Sequence, residues 1–289
     1  MLRCGWCPLC GRTDGRIVLH EGGYFGRQCN CGIIFIDPAP PPEAVDARID
    51  YHHRIYYAVP ANKRVSWLRK FKERGLVLDV GCGEGEFADA AIQNGFQVEG
   101  IEPSAERAEL VSTKLGIPVE CALIENSQLP NGRYDAVFHV DLLSHFPDPI
   151  RSLCAMRDRL KLDGVLCFEV GLFSNLSPFW RNLAGSGNMP AHRWFFDAPA
   201  VERLLEASGF RLLDIRRYSI GVSTALSSLL VRLVAPFVLE PGGRPARPIA
   251  QGPLSGPYYR LHMMLRYDLG RWLPIGGPQT AFVAAARVP

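Results

Sequence analysis

The stretch LVLDVGCGEGEF, from Leu76 to Phe87, decides the predicted fold, because an apolar strand runs into three glycines at alternate positions. Glycines remove the Cβ atoms that would keep a ligand away from the backbone, and the helix that follows points its free amides at that ligand. The stretch is therefore typical of a cofactor-binding loop between a strand and a helix of an α/β protein.

The spacing of Gly81, Gly83 and Gly85 distinguishes between two kinds of cofactor. A dinucleotide fingerprint is G-x-G-x-x-G, and its last glycine fits the helix to the strand around a pyrophosphate. Here the pattern is G-x-G-x-G, and Asp79 lies just before it. A carboxylate there would repel a pyrophosphate but suits a cation, while the helix N-terminus suits a carboxylate. The loop therefore favours S-adenosylmethionine, whose methionine part carries an ammonium, a sulfonium and a carboxylate.

A second acid follows in the stretch FQVEGIEP, residues 96–103, which predicts a short strand ending in Glu102. In a β-α-β unit the end of the second strand lies next to the first strand. Glu102 is therefore expected beside the glycines, where a carboxylate can accept hydrogen bonds from both ribose hydroxyls.

Four ordered motifs resemble those of class I S-adenosylmethionine-dependent methyltransferases: Asp79–Gly85, Glu102, YDAV at 134–137 and SHFPDP at 144–149. The resemblance covers roughly residues 50 to 215. Alternating patterns predict strands near 76–80, 97–102, 118–121, 134–140, 165–170, 210–218 and 280–288. The resemblance implies a doubly wound, seven-stranded Rossmann-like α/β sheet whose last strand inserts antiparallel between its neighbours.

Three regions are expected along the 289 residues: a zinc-ribbon segment at 1–37, a linker with lid helices at 38–74, and the methyltransferase domain at 75–289. A helical insertion at about 219–278 interrupts the last domain, with apolar stripes at 226–237 and 258–272. These stripes favour core packing or a dimer face, with a substrate cap or peripheral membrane contact as alternatives. Neither stripe has the unbroken apolar length of a membrane span.

The N-terminal segment is rich in cysteine. Cys7, Cys10, Cys29 and Cys31 form two knuckles around a predicted hairpin through 22–23, and such thiolates can close a tetrahedral, structural zinc site. The second pair is C-x-C, so Cys4 or His20 could replace one ligand. Nine cysteines and a start without an apolar leader favour a reducing compartment, and the cytoplasm is expected.

Tyr57 belongs to the region before a basic helix at 62–74, where similar proteins fold a lid over the cofactor. The basic residues of that helix could form an RNA-binding face, but a solvated face is the expectation. The formal net charge of +3 is too small to demand a nucleic-acid partner.

Two histidines are candidates for the base that a hydroxyl acceptor requires during methyl transfer. His145 follows the strand at 134–140, whose carboxyl end faces the cofactor cleft. His192 lies in PAHRWFF, residues 190–196, which resembles the acceptor-side P-x-H loop of related methyltransferases. Packing is the alternative role for both. Asp141 is expected to contact the cofactor or orient the acceptor, and the resemblance places adenine against the main chain near Leu123.

The leading prediction is a methyltransferase that acts on a small molecule, such as a sugar, a lipid-linked intermediate or a secondary metabolite, with O-methylation favoured. Ribosomal RNA guanine methyltransferases also join a zinc ribbon to this fold, so RNA base methylation is the first alternative. An inactive zinc-ribbon binding module is the second, although the intact loop and its two acids argue against it.

Overall fold

The computed structural model describes residues 4–41, 54–174, 176–177, 189–219, 260–261, 263–272, 277 and 279–288, and at 54–59 it describes the helical backbone. The strands are β1 Arg16–Glu21, β2 Tyr24–Gln28, β3 Ile34–Asp37, β4 Leu76–Val80, β5 Gln97–Ile101, β6 Val119–Glu120, β7 Tyr134–Val140, β8 Leu160–Leu172, β9 Trp194–Phe195, β10 Phe210–Ser219 and β11 Gln279–Arg287. The longer helices are α1 Arg54–Leu68, α2 Glu86–Gln93, α3 Ala105–Leu115, α4 Pro149–Arg159 and α5 Ala198–Ala207. Short turns follow at Ile124–Asn126, at the π-helical Leu265–Leu269 and at Gly270–Trp272.

The large sheet has seven strands in the order β10-β11-β8-β7-β4-β5-β6. The five strands from β8 to β6 are parallel, and β11 pairs antiparallel with both β8 and β10. Helices cover both faces, since α1 and α2 contribute to one core cluster and α4 and α5 to another. This confirms the predicted doubly wound, Rossmann-like fold and the antiparallel last strand.

Helices α4 and α5 each begin after an aspartate that caps the first turn. The side chain of Asp148 accepts a hydrogen bond from the Arg151 amide at the start of α4, and Asp197 does the same for Ala200 in α5. The apolar spacing of Ile150, Leu153, Met156 and Leu160 ahead of Gly164 predicts one helix that includes Leu160, and for Leu160 this prediction is wrong. Leu160 is fully buried and pairs with Tyr134, so it begins a longer strand than predicted.

A small antiparallel sheet has the order β1-β2-β3-β9. Its first two strands form the predicted hairpin, in which Gly22 and Gly23 both take positive φ. The fourth strand comes from elsewhere in the chain: Ile34 pairs with Phe195 and Phe35 with Trp194. Ile33 and Phe35 lie in the same core cluster as α5, so the small sheet packs on the large domain.

Two expectations about the connecting regions are settled in part. Helix α1 ends at Leu68, before the predicted end of the basic helix at 74. The apolar stripe at 226–237 lies outside the described residues. Among the described members of the second stripe, Leu265 is buried, whereas Leu261, Leu269 and Trp272 are exposed. Within the described ranges, every helix is too short or too polar to cross a membrane.

Candidate active site

The glycine loop, residues 81–85, joins β4 to α2 and bends through left-handed backbone conformations. Gly81 has φ 65° and Gly83 has φ 56°. Residues other than glycine rarely adopt such positive φ angles. A Cβ on Gly81 would also lie 2.6 Å from Cδ1 of Leu142. Gly85, with φ 82°, is the residue before the first turn of α2. The loop therefore brings bare backbone and a helix N-terminus to one edge of the sheet.

Asp79 lies near the end of β4 with 2% of its surface exposed. Its Oδ2 atom has no hydrogen-bond partner in the part of the chain that the structure describes, and the residue lines a cavity of about 280 Å³, named here the Asp79 cavity. Burial, and then the charge of Glu86, raises the pKa of Asp79 to about 7, although Arg64 opposes the rise. A buried carboxylate oxygen without a partner fits a cationic ligand group.

Glu102 lies just beyond β5 and is fixed by two backbone amides. Its Oε2 atom accepts a hydrogen bond from the Gly83 amide and its Oε1 atom one from the Ser104 amide, both at 3.1 Å. Each oxygen keeps a further lone pair for a ligand hydroxyl. Glu102 lines a second cavity of about 460 Å³, the Glu102 cavity, whose apolar wall includes Leu123 and Phe146.

The two cavities meet at Gly81 and Gly83, which line both of them. The structure thus brings together most of the predicted cofactor residues: Asp79, Gly81, Gly83 and Asp141 around the Asp79 cavity, and Glu102 and Leu123 around the other. Gly85 contributes differently, because it precedes the first turn of α2, whose free amides point toward the loop. Tyr57 belongs to the part of α1 for which only the backbone is described, so its side chain stays a prediction.

Asp141 lines the Asp79 cavity and His145 lines the Glu102 cavity. His192 lies beside them, and one ligand atom of each of the three residues lies within 4.8 Å of the others. The two imidazole centroids are 4.6 Å apart. Nδ1 of His145 lies 2.9 Å from the Ala191 carbonyl, so it carries the hydrogen and Nε2 carries the lone pair. Burial, and then the neighbouring His192, lowers the pKa of His145, while Asp141 opposes the change. His145 is therefore neutral at neutral pH and able to accept a proton.

The acceptor loop, residues 190–196, is held from two sides. The amide of Arg193 donates to the Ser144 carbonyl at 2.7 Å, and the indole of Trp194 donates to the Phe146 carbonyl at 2.7 Å. On the other side the Ile36 amide donates to the Arg193 carbonyl at 3.2 Å, just before β9 pairs with β3. The small N-terminal sheet therefore helps to hold the loop that places His192 beside His145.

Sequence reasoning missed an ionic cluster around Glu169, which is buried in β8 and lines the Asp79 cavity. Its carboxylate pairs with Nε of Arg64 at 2.6 Å and with Nη2 of Arg266 at 3.3 Å, and it accepts from the Tyr267 hydroxyl at 3.0 Å. The prediction that the basic helix is a solvated face is therefore wrong for Arg64. A lone acid inside the apolar run LCFEVG was the available signal, because buried charges need partners.

The thiols of Cys7, Cys10, Cys29 and Cys31 lie within 4.8 Å of one another. The closest sulfur pairs are Cys7 with Cys31 at 3.3 Å and Cys10 with Cys29 at 3.4 Å. Tetrahedral zinc with bonds of about 2.3 Å requires sulfur separations of about 3.8 Å, so this cluster fits the ion. The alternatives lie outside the cluster: Cys4 is not part of it, and the ring of His20 stacks on Phe25.

Comparison with known proteins identifies the family. A model described as a methyltransferase domain matches residues 51–215, which is more than half of the chain. The chain belongs to this methyltransferase family. Together with the fold, this confirms the predicted class, that of the class I S-adenosylmethionine-dependent methyltransferases.

Curated relatives match a shorter part of this methyltransferase. The ubiquinone biosynthesis O-methyltransferase of Chromobacterium violaceum is 36% identical over 100 residues, which are 32% of this chain and 43% of the relative. The protein of the same name from Coxiella burnetii strain Dugway is 28% identical over 48% of this chain and 64% of its own. The chain thus spans about half of the length of these relatives.

Solved structures share the fold at low identity. Geranyl diphosphate methyltransferase in complex with S-adenosylmethionine is 15% identical, with a TM-score of 0.53 over 80% of this chain and 85% of its own. The cyclopropane synthase MmaA2 of Mycobacterium tuberculosis is 17% identical, with a TM-score of 0.57 over 87% and 100%. The [4+2]-cyclase SpnF, at 20% identity, gives 0.51 over 79% and 81%. Since a cyclase shares the fold, the fold alone does not establish methyl transfer.

Proposed function

We propose that this protein is an S-adenosylmethionine-dependent methyltransferase that methylates a hydroxyl group of a small molecule. The observation that carries the proposal is the placement of Asp79 and Glu102 on the two cavities that meet at the glycine loop, with His145 on the lining of the second cavity and His192 in contact with His145. Family membership supports methyl transfer, and the names of the curated relatives support oxygen as the acceptor atom.

S-adenosylmethionine, when bound, supplies a methyl group on an already activated sulfonium. The residues that would hold it have distinct tasks. Asp79, with its unpartnered oxygen, suits the positive methionine end, and the amides at the start of α2 suit the carboxylate. Glu102 suits the ribose hydroxyls, and the apolar wall near Leu123 suits adenine.

His145 has the chemistry of a general base for the acceptor. Its tautomer is set by the Ala191 carbonyl, which leaves Nε2 to accept the hydroxyl proton as the oxygen attacks. His192 and Asp141 lie within reach to orient the acceptor and to stabilise the imidazolium that forms. Sugars, lipid-linked intermediates and secondary metabolites all carry such hydroxyls.

A structural zinc ion is part of the proposal. Cys7, Cys10, Cys29 and Cys31 would supply four thiolates, which leaves no coordination position for catalysis. Its role would be to fold the N-terminal segment whose third strand, β3, pairs with the acceptor loop.

The test combines cofactor binding with acceptor labelling. Calorimetry should detect S-adenosylmethionine binding, and incubation with methyl-labelled cofactor and a native lysate should place label in the small-molecule or lipid fraction. His145→Ala should lose the label with cofactor affinity kept, whereas the control His20→Ala, in the hairpin, should keep both. Label in RNA would favour base methylation instead, and a protein that binds no cofactor would be the inactive module.

A further inference from the structure

A third cavity, of about 520 Å³, is lined in part by α1. Helix α1 lines both this cavity and the Asp79 cavity, with Arg64 facing the Asp79 cavity and Lys63 the third. Tyr267 lines both cavities as well. The third cavity, named here the basic groove, is defined by Lys63, Trp67, Lys70, Arg216, Arg271 and Trp272.

The basic groove has more positive than negative charge. Its lining has four cationic side chains and one acidic side chain, Asp268, which already forms an ion pair with Lys63. Lys70, Arg216 and Arg271 form no ion pair with any residue that the structure describes. Asp214, on the neighbouring strand β10, is the acid whose charge reaches Lys70.

These cations crowd one another. The Lys70 ammonium lies 5.0 Å from the ring centroid of Trp67, and the Arg216 guanidinium lies 4.9 Å from the same centroid. Burial, and then the charge of Arg216, lowers the pKa of Lys70, with a further contribution from Arg271. Like charges held together in this way are stabilised when an anion binds between them.

The groove also presents an aromatic surface. Trp272 is 72% exposed, and the guanidinium of Arg271 lies 4.7 Å from its ring centroid. Trp67, by contrast, is buried, and its indole donates to the Val283 carbonyl at 3.2 Å. An exposed indole beside a group of cations suits a ligand that joins an anion to a flat or apolar group.

We infer that the basic groove binds the phosphate group of a phosphate-bearing ligand, through Lys70, Arg216 and Arg271. Guanidinium groups bind phosphate oxygens in pairs, and an ammonium adds a third charged donor. The phosphate belongs either to a free phosphorylated molecule or to the headgroup of an anionic lipid. This site is separate from the proposed methyl-transfer site and does not depend on that proposal.

The first test uses inorganic pyrophosphate and calorimetry at low salt on the full chain. Arg271→Gln alters an exposed residue and should weaken binding roughly tenfold, the loss of about one charge-assisted hydrogen bond. Arg216→Gln should weaken it by a similar factor. Arg217→Gln is the matched control, because the next residue on β10 points to the other face of the strand and should leave the affinity unchanged.

The second test uses sedimentation with phosphatidylcholine vesicles that contain phosphatidic acid, and pure phosphatidylcholine vesicles as the reference. Binding that requires phosphatidic acid and is lost in Arg271→Gln supports a lipid headgroup, whereas pyrophosphate binding alone supports a free phosphate. Binding to neither probe, or binding that is equal in Arg271→Gln and Arg217→Gln, overturns the inference.

Discussion

The ionised carboxylate of Asp79 should lower the folding stability of the ligand-free protein, although it favours binding of a cationic ligand. The pKa of this carboxyl rises from 3.8 to about 7, first because of burial and then because of Glu86. Each pKa unit corresponds to about 1.4 kcal/mol, so the ionised folded state is penalised by about 4 kcal/mol. Because the pKa is higher in the folded than in the unfolded protein, the penalty is absent at about pH 4 and grows as the pH rises to about 7.

Asp79→Asn removes the ionisation and keeps the size and one oxygen of the side chain. A buried amide has a desolvation cost of its own, on the order of 1–3 kcal/mol, but that cost does not depend on pH. The stability difference between variant and wild type should therefore shift in favour of the variant by about 4 kcal/mol between about pH 4 and pH 8. Urea unfolding followed by circular dichroism at the two pH values measures this shift.

The control is Asp135→Asn, at the second residue of β7. Burial alone would raise the pKa of Asp135, but the Lys161 ammonium and the Leu76 amide hold it below its usual range. Its substitution should therefore lower stability at neutral pH and not raise it. A stability difference for Asp79→Asn that stays constant with pH would refute the reasoning, as would undiminished affinity of that variant for S-adenosylmethionine.

Three further outcomes follow from the same contacts. Glu102→Gln should weaken S-adenosylmethionine binding roughly tenfold in calorimetry, because an amide offers one acceptor oxygen where the carboxylate has two, and unchanged affinity would contradict this role. His145→Ala should reduce turnover by roughly 10²–10⁴ with cofactor affinity kept. Because the pKa of His145 is lowered from its ordinary value of 6.5, wild-type turnover should fall at a lower pH than an unperturbed histidine would give, and a rate that already falls above pH 6.5 would count against His145 as the base. Cys29→Ser should lose bound zinc in metal analysis and lose turnover with cofactor affinity kept, whereas full zinc content would exclude Cys29 as a ligand.

The central part of the fold could be predicted because local pattern and tertiary role agree there. Strands β4 and β7 were predicted with the bounds that they have, since central parallel strands are apolar on both faces and are followed by turn residues. The glycine loop and Glu102 were predicted together because chain order in a β-α-β unit fixes which strand ends are neighbours. The end of α4 was less predictable, because Leu160 continues the apolar spacing of the helix while its backbone already belongs to β8.

The remaining features depend on contacts between distant parts of the sequence, which a local pattern does not encode. Arg64 reads as one more surface cation of a basic helix, and only its pairing with Glu169, far along the chain, makes it part of a cavity wall. The basic groove likewise combines α1, β10 and the turn at Gly270–Trp272. Such sites require the fold before they can be recognised.

The N-terminal sheet shows how such contacts bear on function. From the sequence alone the ribbon looks like a separate module. In the structure, however, β3 pairs with β9, which begins two residues after His192. The guanidinium of Arg193 donates to the Pro40 carbonyl at 2.9 Å, while its amide holds the segment that carries His145. Loss of the ribbon would release one side of the acceptor loop and leave Asp79 and Glu102 in place. The ribbon is therefore expected to act on the acceptor half of the reaction and not on the cofactor half, which is why turnover and cofactor affinity should separate in the zinc-ligand variant.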